Sequence, residues 1–123
     1  MKILLVEDEE ALSGIVKEEL QGKGHEVKVA ADGEEALVFA KTFQPNMILL
    51  DLVLPKKNGM EVLSALKIDP ELKKIPVIVL SNLAEDESIK RAIGLGADDY
   101  FVKTQHSIYE VIEKVQKFIT PVL

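Results

Sequence analysis

Glu7, Asp8, Asp51, Ser81 and Lys103 each stand one or two residues past the end of a short unbroken apolar run, and each side-chain type can handle a phosphoryl group. Ile3-Leu4-Leu5-Val6 leads into Glu7-Asp8, and Met47-Ile48-Leu49-Leu50 into Asp51. Val77-Ile78-Val79-Leu80 leads into Ser81, and Tyr100-Phe101-Val102 into Lys103. Carboxylates sharing one cleft repel: at about 4 Å and an effective dielectric near 20, each pair costs on the order of 4 kcal/mol. A hard-oxygen cluster of this kind suits Mg²⁺, which takes a few carboxylates, keeps waters and leaves room for a phosphate oxygen. A carboxylate such as Asp51 can attack phosphorus to form an aspartyl phosphate. Its negative charge then needs shielding from the incoming group, which Mg²⁺ and Lys103 would share, while the Ser81 hydroxyl can donate to a phosphoryl oxygen. Glu9 and Glu10 read instead as N-terminal charges on a helix, favoured by its dipole.

Short apolar runs are the mark of parallel strands buried on both faces. Helix-like segments separate them. Ala11, Leu12, Ile15, Val16 and Leu20 recur at helical spacing, and Gly22 and Gly24 supply the stop. His25 to Ala30 alternates, with Val27 and Val29 opposite Glu26 and Lys28, as an edge strand does. Asp32 with Glu35, Asn58 with Glu61 and Ser107 with Glu110 each place a cap residue three before a Glu, a helix-start signature. Ala36, Leu37, Ala40 and Phe43 continue the second helix, and Leu63 and Leu66 face inward on the third. Pro70 and Pro76 confine the loop before the fourth strand. Ile89, Ala92 and Ile93 mark a fourth helix that stops near Gly94 and Gly96. Ile108, Val111, Ile112, Val115, Phe118 and Ile119 form the clearest amphipathic stripe.

Alternating strands and helices predict right-handed crossovers with helices on both faces of a parallel sheet. An edge second strand beside a buried first strand fits a flavodoxin-like, doubly wound (βα)5 fold of order 2-1-3-4-5. Its switch point lies between strands one and three, where such sheets bind ligands beyond their carboxyl ends. Those are the strands that carry Glu7-Asp8 and Asp51.

A chain of 123 residues fits one domain spanning 1–123, with 120–123 read as a tail or linker stump. A net charge of −6 disfavours direct nucleic-acid or membrane binding by the domain. The absence of Cys excludes disulfides and thiolate chemistry. No apolar stretch approaches a membrane span, and the first strand begins at Lys2 with no signal peptide before it, so a cytoplasmic location is expected. His25 and His106 read as solvated histidines, Lys56-Lys57 and Lys73-Lys74 as loop solubility, and Met47 and Met60 as packing.

Over its full length the chain resembles a response-regulator receiver domain. The resemblance rests on Ile3-Leu4-Leu5-Val6-Glu7-Asp8, Asp51-Leu52-Val53-Leu54-Pro55 with Asn58-Gly59, Leu80-Ser81, and Gly96-Ala97-Asp98-Asp99-Tyr100-Phe101-Val102-Lys103. It implies that Asp51 accepts a phosphoryl group from a histidine kinase. It implies that Glu7, Asp8, Asp51 and the Val53 backbone carbonyl arrange Mg²⁺, directly or through water. Ser81 and Lys103 would contact the attached phosphoryl group, and Tyr100 occupies the aromatic switch position. The readout would be the face made by the fourth helix, fifth strand and fifth helix, acting on a downstream protein or a fused output domain. Such a domain promotes its own phosphorylation without being a turnover enzyme.

Three positions depart from the family pattern. Thr104 follows Lys103 where a proline, often cis, is usual, which leaves the Lys103–Thr104 bond open between trans and a strained cis form. Asn82 stands where a small residue is commoner. Val53 and Leu83 are apolar at positions that flank the site, and are expected to hinder an attacking water and prolong the phosphoryl group's life. Two other function classes compete. A phosphohydrolase of the haloacid-dehalogenase type needs a second Asp two residues after its nucleophile, where this chain has Val53. A flavodoxin-like electron carrier needs a Ser/Thr/Gly-rich first loop, where this chain has Glu7-Asp8-Glu9-Glu10.

Overall fold

The computed structural model describes residues 1–119, so the tail or linker stump read at 120–123 lies outside the described residues. Ten elements alternate: β1 (Lys2–Val6), α1 (Glu10–Gly22), β2 (Glu26–Ala30), α2 (Gly33–Thr42), β3 (Met47–Leu50), α3 (Gly59–Ile68), β4 (Val77–Ser81), α4 (Asp86–Gly94), β5 (Asp99–Val102) and α5 (Ile108–Ile119). The strands form one parallel five-stranded sheet in the order β2-β1-β3-β4-β5, as the sequence predicts.

The apolar runs are explained by burial on both sides. Leu4, Val6, Ile48, Leu50, Val77 and Val79 face one layer, where Ala36, Ala40, Val62, Leu63, Leu66 and Ala92 arrive from α2, α3 and α4. Ile3, Leu5, Met47, Leu49, Ile78 and Leu80 face the other, against Val16, Leu20, Val111, Ile112 and Val115 from α1 and α5. Each of the Val, Leu, Ile and Met side chains contributes about 1.5–3 kcal/mol when withdrawn from water. β2 keeps Glu26 and Lys28 exposed and Val27 buried, as an edge strand should.

The helix boundaries follow the caps. Asp32 accepts the Glu35 N–H at 2.8 Å and Asn58 accepts the Glu61 N–H at 3.0 Å. Ser107 and Glu110 exchange two hydrogen bonds of 3.2 Å. Past α1 and α4, Gly24 at φ 90° and Gly96 at φ 111° take backbone conformations that glycine alone adopts without strain.

Four helix markers turn outward, Ala11 in the first turn of α1 among them. Ile15 is 48% exposed while Ser13 is buried, because α1 meets the sheet along Leu12, Val16 and Leu20, a spacing of four that leaves position 15 on its flank. Ile93 is 46% exposed, since α4 contacts the core through Ala92, the next residue round the helix. Phe118 is 45% exposed near the end of α5. The two histidines are also corrected: neither is simply solvated. His25 is half-buried with Nε2 2.5 Å from Gln116 Oε1, and His106 packs edge-on against Phe101 at 5.5 Å.

Candidate functional site

The sheet fixes the backbone of every charged residue at its carboxyl edge. The Glu7 N–H donates to the Ala30 carbonyl at 2.9 Å, Asp51 N–H to Val6 at 3.0 Å, and Lys103 N–H to Ser81 at 2.9 Å. Glu7, Asp51 and Lys103 therefore extend the strand ladder by one residue, and parallel register brings them together across the sheet. Lys103 Nζ lies 2.5 Å from Glu7 Oε1 and 2.8 Å from Asp51 Oδ2. The Lys103–Thr104 bond is trans, as are all peptide bonds among the described residues.

Glu7 and Asp51 are buried, at 4% and 6% exposure, and Asp8 is exposed beside them. One carboxylate oxygen from each of the three lies within 4.8 Å of the others. An octahedral Mg²⁺ with bonds of 2.0–2.1 Å spans about 4.2 Å between opposite oxygens, so this donor set fits such an ion with small adjustments or one bridging water. The remaining oxygens are held by backbone amides that the sequence reading missed. Glu9 N–H donates to Glu7 Oε2 at 3.2 Å, and Val53 N–H to Asp51 Oδ1 at 3.1 Å. Acidic residues ahead of a turn commonly accept the N–H two residues on, which is the signal that would have found both. Each of these carboxylate oxygens has acceptor capacity beyond the bond described.

The electrostatics follow from this crowding. Burial pushes the Glu7 carboxyl up, with Asp51 adding to the rise and Lys103 opposing it. Burial alone would lower Lys103, but its hydrogen bonds to Asp51 and Glu7 outweigh that and hold the ammonium above its ordinary value. Lys103 thus stays charged and offsets part of the repulsion among the acids.

A cleft of about 230 Å³ opens over the cluster, with Asp8, Val53 and Asn82 on its rim and Asp51 and Lys103 at its base. Val53 is 57% exposed there. Ser81, Tyr100 and Leu83 lie beside the cleft rather than in its wall. Ser81 is fully buried, and its hydroxyl accepts the Leu83 N–H at 3.3 Å. Tyr100 donates its hydroxyl to the Leu83 carbonyl at 2.6 Å, and burial pushes its phenol up. Leu83 is half-buried, with its side chain packed against the core. Its backbone therefore joins Ser81 to Tyr100.

The arrangement offers a nucleophilic carboxylate, a fixed cation and a hard-oxygen cluster at a topological switch point. Comparisons with known proteins agree with it. The model for the response regulator receiver domain matches residues 3–116. The alkaline phosphatase synthesis transcriptional regulatory protein PhoP of Bacillus subtilis is 41% identical over 83% of this chain and 42% of its own length. Response regulator Rcp1 of Synechocystis is 35% identical over 94% of this chain and 86% of its length. The Mn²⁺-bound crystal structure of Rcp1 superposes with a TM-score of 0.87 at 34% identity, covering 99% of this chain and 96% of the other. The chain spans less than half the length of PhoP and of the phosphate regulon regulator PhoB of Rhizobium meliloti. Neither a phosphohydrolase nor a flavin carrier finds support beside these matches. With fold, acidic cleft and sequence in agreement, the chain belongs to the response regulator receiver domains of two-component signalling.

Proposed function

We propose that the domain accepts a phosphoryl group on Asp51 from the phosphohistidine of a histidine kinase, with Mg²⁺ held by Glu7, Asp8, Asp51 and the Val53 carbonyl. One observation carries this: Lys103 Nζ stands 2.8 Å from Asp51 while Glu7, Asp8 and Asp51 offer oxygens within 4.8 Å of one another. An Asp51 carboxylate oxygen bonds to phosphorus as the bond from phosphorus to the donor imidazole nitrogen breaks. When bound, Mg²⁺ supplies positive charge at the transferring oxygens. Lys103 adds a second, preorganised cation beside Asp51. Loss of the group by water attack returns the Asp51 carboxylate and inorganic phosphate. Catalysis here means positioning and charge, with no substrate turned over.

The attached group adds charge and acceptor oxygens. Ser81 and Lys103 gain contacts available only in that state, so the equilibrium shifts by their differential free energy. Ser81 accepts the Leu83 N–H and the Leu83 carbonyl accepts the Tyr100 hydroxyl, so displacement of Ser81 frees the Leu83 amide and reaches Tyr100 through that backbone. The α4-β5-α5 face would carry the change to a downstream protein or fused output domain, as relatives named as transcriptional regulators suggest. No described helix is long and apolar enough to cross a membrane; a cytoplasmic location belongs to the same proposal, since the phosphodonor it invokes is a histidine kinase.

The test is incubation with acetyl phosphate and Mg²⁺ followed by intact-mass measurement. Wild type gains one phosphoryl mass and Asp51→Asn gains none. Equal labelling of both proteins, or labelling of neither, sinks the assignment.

A further inference from the structure

The loop after Asp51 carries Val53, and its outer side is backed by a turn that the chemistry above leaves unused. Gly33, the first residue of α2, lies so close that a Cβ added to it would stand 2.2 Å from the Lys57 carbonyl oxygen and 2.7 Å from the Lys57 Cβ. Its N–H faces the Pro55 carbonyl at 3.5 Å. Asp32 is buried and divides its carboxylate: Oδ1 accepts the Glu35 N–H, and Oδ2 lies 3.5 Å from Lys56 Nζ. Lys56 holds φ 65°, a conformation that disfavours ordinary side chains, and its ammonium, on a side chain 60% exposed, meets that carboxylate. On the inner side Gly59 N–H donates to the Leu52 carbonyl at 2.8 Å, and a Cβ there would stand 2.3 Å from Leu52 Cα. The loop is clamped between the first residue of α3 and the first turn of α2.

We propose that Asp32 and Gly33 are positioning residues for the cation pocket. They set, through the Pro55–Lys57 backbone, where the Val53 end of the loop stands relative to Asp8 and Asp51. The proposal rests on reading the acidic cleft as a divalent-cation site. Neither residue lines that cleft, so the uncharged Gly33 can act on the cation only through the loop, and metal-free exchange separates a loop effect of Asp32 from the loss of its charge. A role confined to capping α2 is separable, because Asn caps a helix as well as Asp but cannot pair with Lys56.

The experiment uses the full chain as wild type, Gly33→Ala and Asp32→Asn. Mg²⁺ affinity is read by titration calorimetry, and amide exchange of Lys57 and Gly59 is read without metal. Gly33→Ala is expected to weaken Mg²⁺ by about tenfold or more, within the range for groups that support metal ligands. Acetyl-phosphate labelling of this variant then recovers at saturating Mg²⁺. Asp32→Asn is expected to weaken Mg²⁺ by about threefold while keeping its thermal midpoint. Both variants should exchange the loop amides faster. Folded variants with wild-type affinity and wild-type exchange overturn the proposal, and if Gly33→Ala fails to fold, the same result in Asp32→Asn alone does so. A wild type that binds no Mg²⁺ overturns the cation-site reading instead, and the metal-free exchange still decides whether Asp32 and Gly33 set the loop.

Discussion

Lys103 donates to Glu7 and Asp51 at once, so its ammonium and a bound divalent cation draw on the same two carboxylates. Replacing it separates two effects that share this origin. Lys103→Met leaves two buried carboxylates facing each other without their cation, and should cost the metal-free protein roughly 1–3 kcal/mol in denaturant unfolding. The same variant should bind Mg²⁺ more tightly, because a competing charge has gone, yet take up phosphoryl from acetyl phosphate more slowly. Weaker Mg²⁺ binding by Lys103→Met would show that Lys103 does not compete for these oxygens. Val53 and Leu83 part company at this scale. Val53 is exposed on the cleft rim, whereas the Leu83 side chain packs inward. Val53→Asn, placing a hydrogen-bonding group where a water can approach, should shorten the phosphoryl half-life by on the order of tenfold, below the roughly 10²–10⁴ of a full general base. Leu83→Glu is expected to shorten it too if its carboxylate reaches the rim, and an unchanged half-life in both variants ends the idea that apolar flanks protect the group.

α5 begins directly after the loop that follows Lys103, so its first turn sets how firmly that loop is tied. The capping box does this twice, and Glu110 Oε2 also lies 3.4 Å from His106 Nδ1. The Ser107 N–H, helped by His106, holds the Glu110 carboxyl below its ordinary value of 4.5. A lowered carboxyl pKa means that the folded state binds this proton less readily than the unfolded state. The stabilisation is therefore present above about pH 4.5 and is lost as pH falls through the folded value. Glu110→Gln keeps a side-chain acceptor for the Ser107 N–H but cannot titrate. Its thermal midpoint should lie below wild type near pH 7, and the gap should narrow as the pH is lowered below 4.5. A gap that keeps its size as the pH is lowered would show that Glu110 acts without its charge. Ser107→Ala, which removes the other half of the box, should cost about 1 kcal/mol throughout.

At the scale of the whole molecule, the fold was legible because one signal repeats: an apolar run, a polar stop, a capped helix. The strand ends at Glu7, Asp51, Ser81 and Lys103 could be placed on one edge from that repetition and the edge character of β2 alone. What stayed hidden depends on neighbours distant in sequence. Gly33 against Lys57, His25 against Gln116 and the inward turn of Leu83 are tertiary contacts that no local period encodes. Ile15 and Ile93 fit the helical spacing, but which side of a helix meets the sheet is settled by packing. The parallel topology has a further consequence for charge. Every helix begins at the edge that holds the site, and their first turns carry Glu10, Glu34, Glu35, Glu61, Asp86, Glu87 and Glu110. Last turns at the opposite end carry Lys41, Lys67, Arg91 and Lys117. Negative charge thus gathers at the sheet edge that holds the cleft, in a protein whose net charge is already −6. An anionic phosphodonor approaches against that field, which salt screens over a Debye length of about 10 Å at 0.1 M. At saturating Mg²⁺, labelling by acetyl phosphate should therefore speed up by about two- to threefold between roughly 0.02 and 0.2 M KCl. Glu10→Gln with Glu87→Gln should flatten that dependence. A rate that falls with salt while Mg²⁺ remains saturating would show that this charge does not govern donor approach.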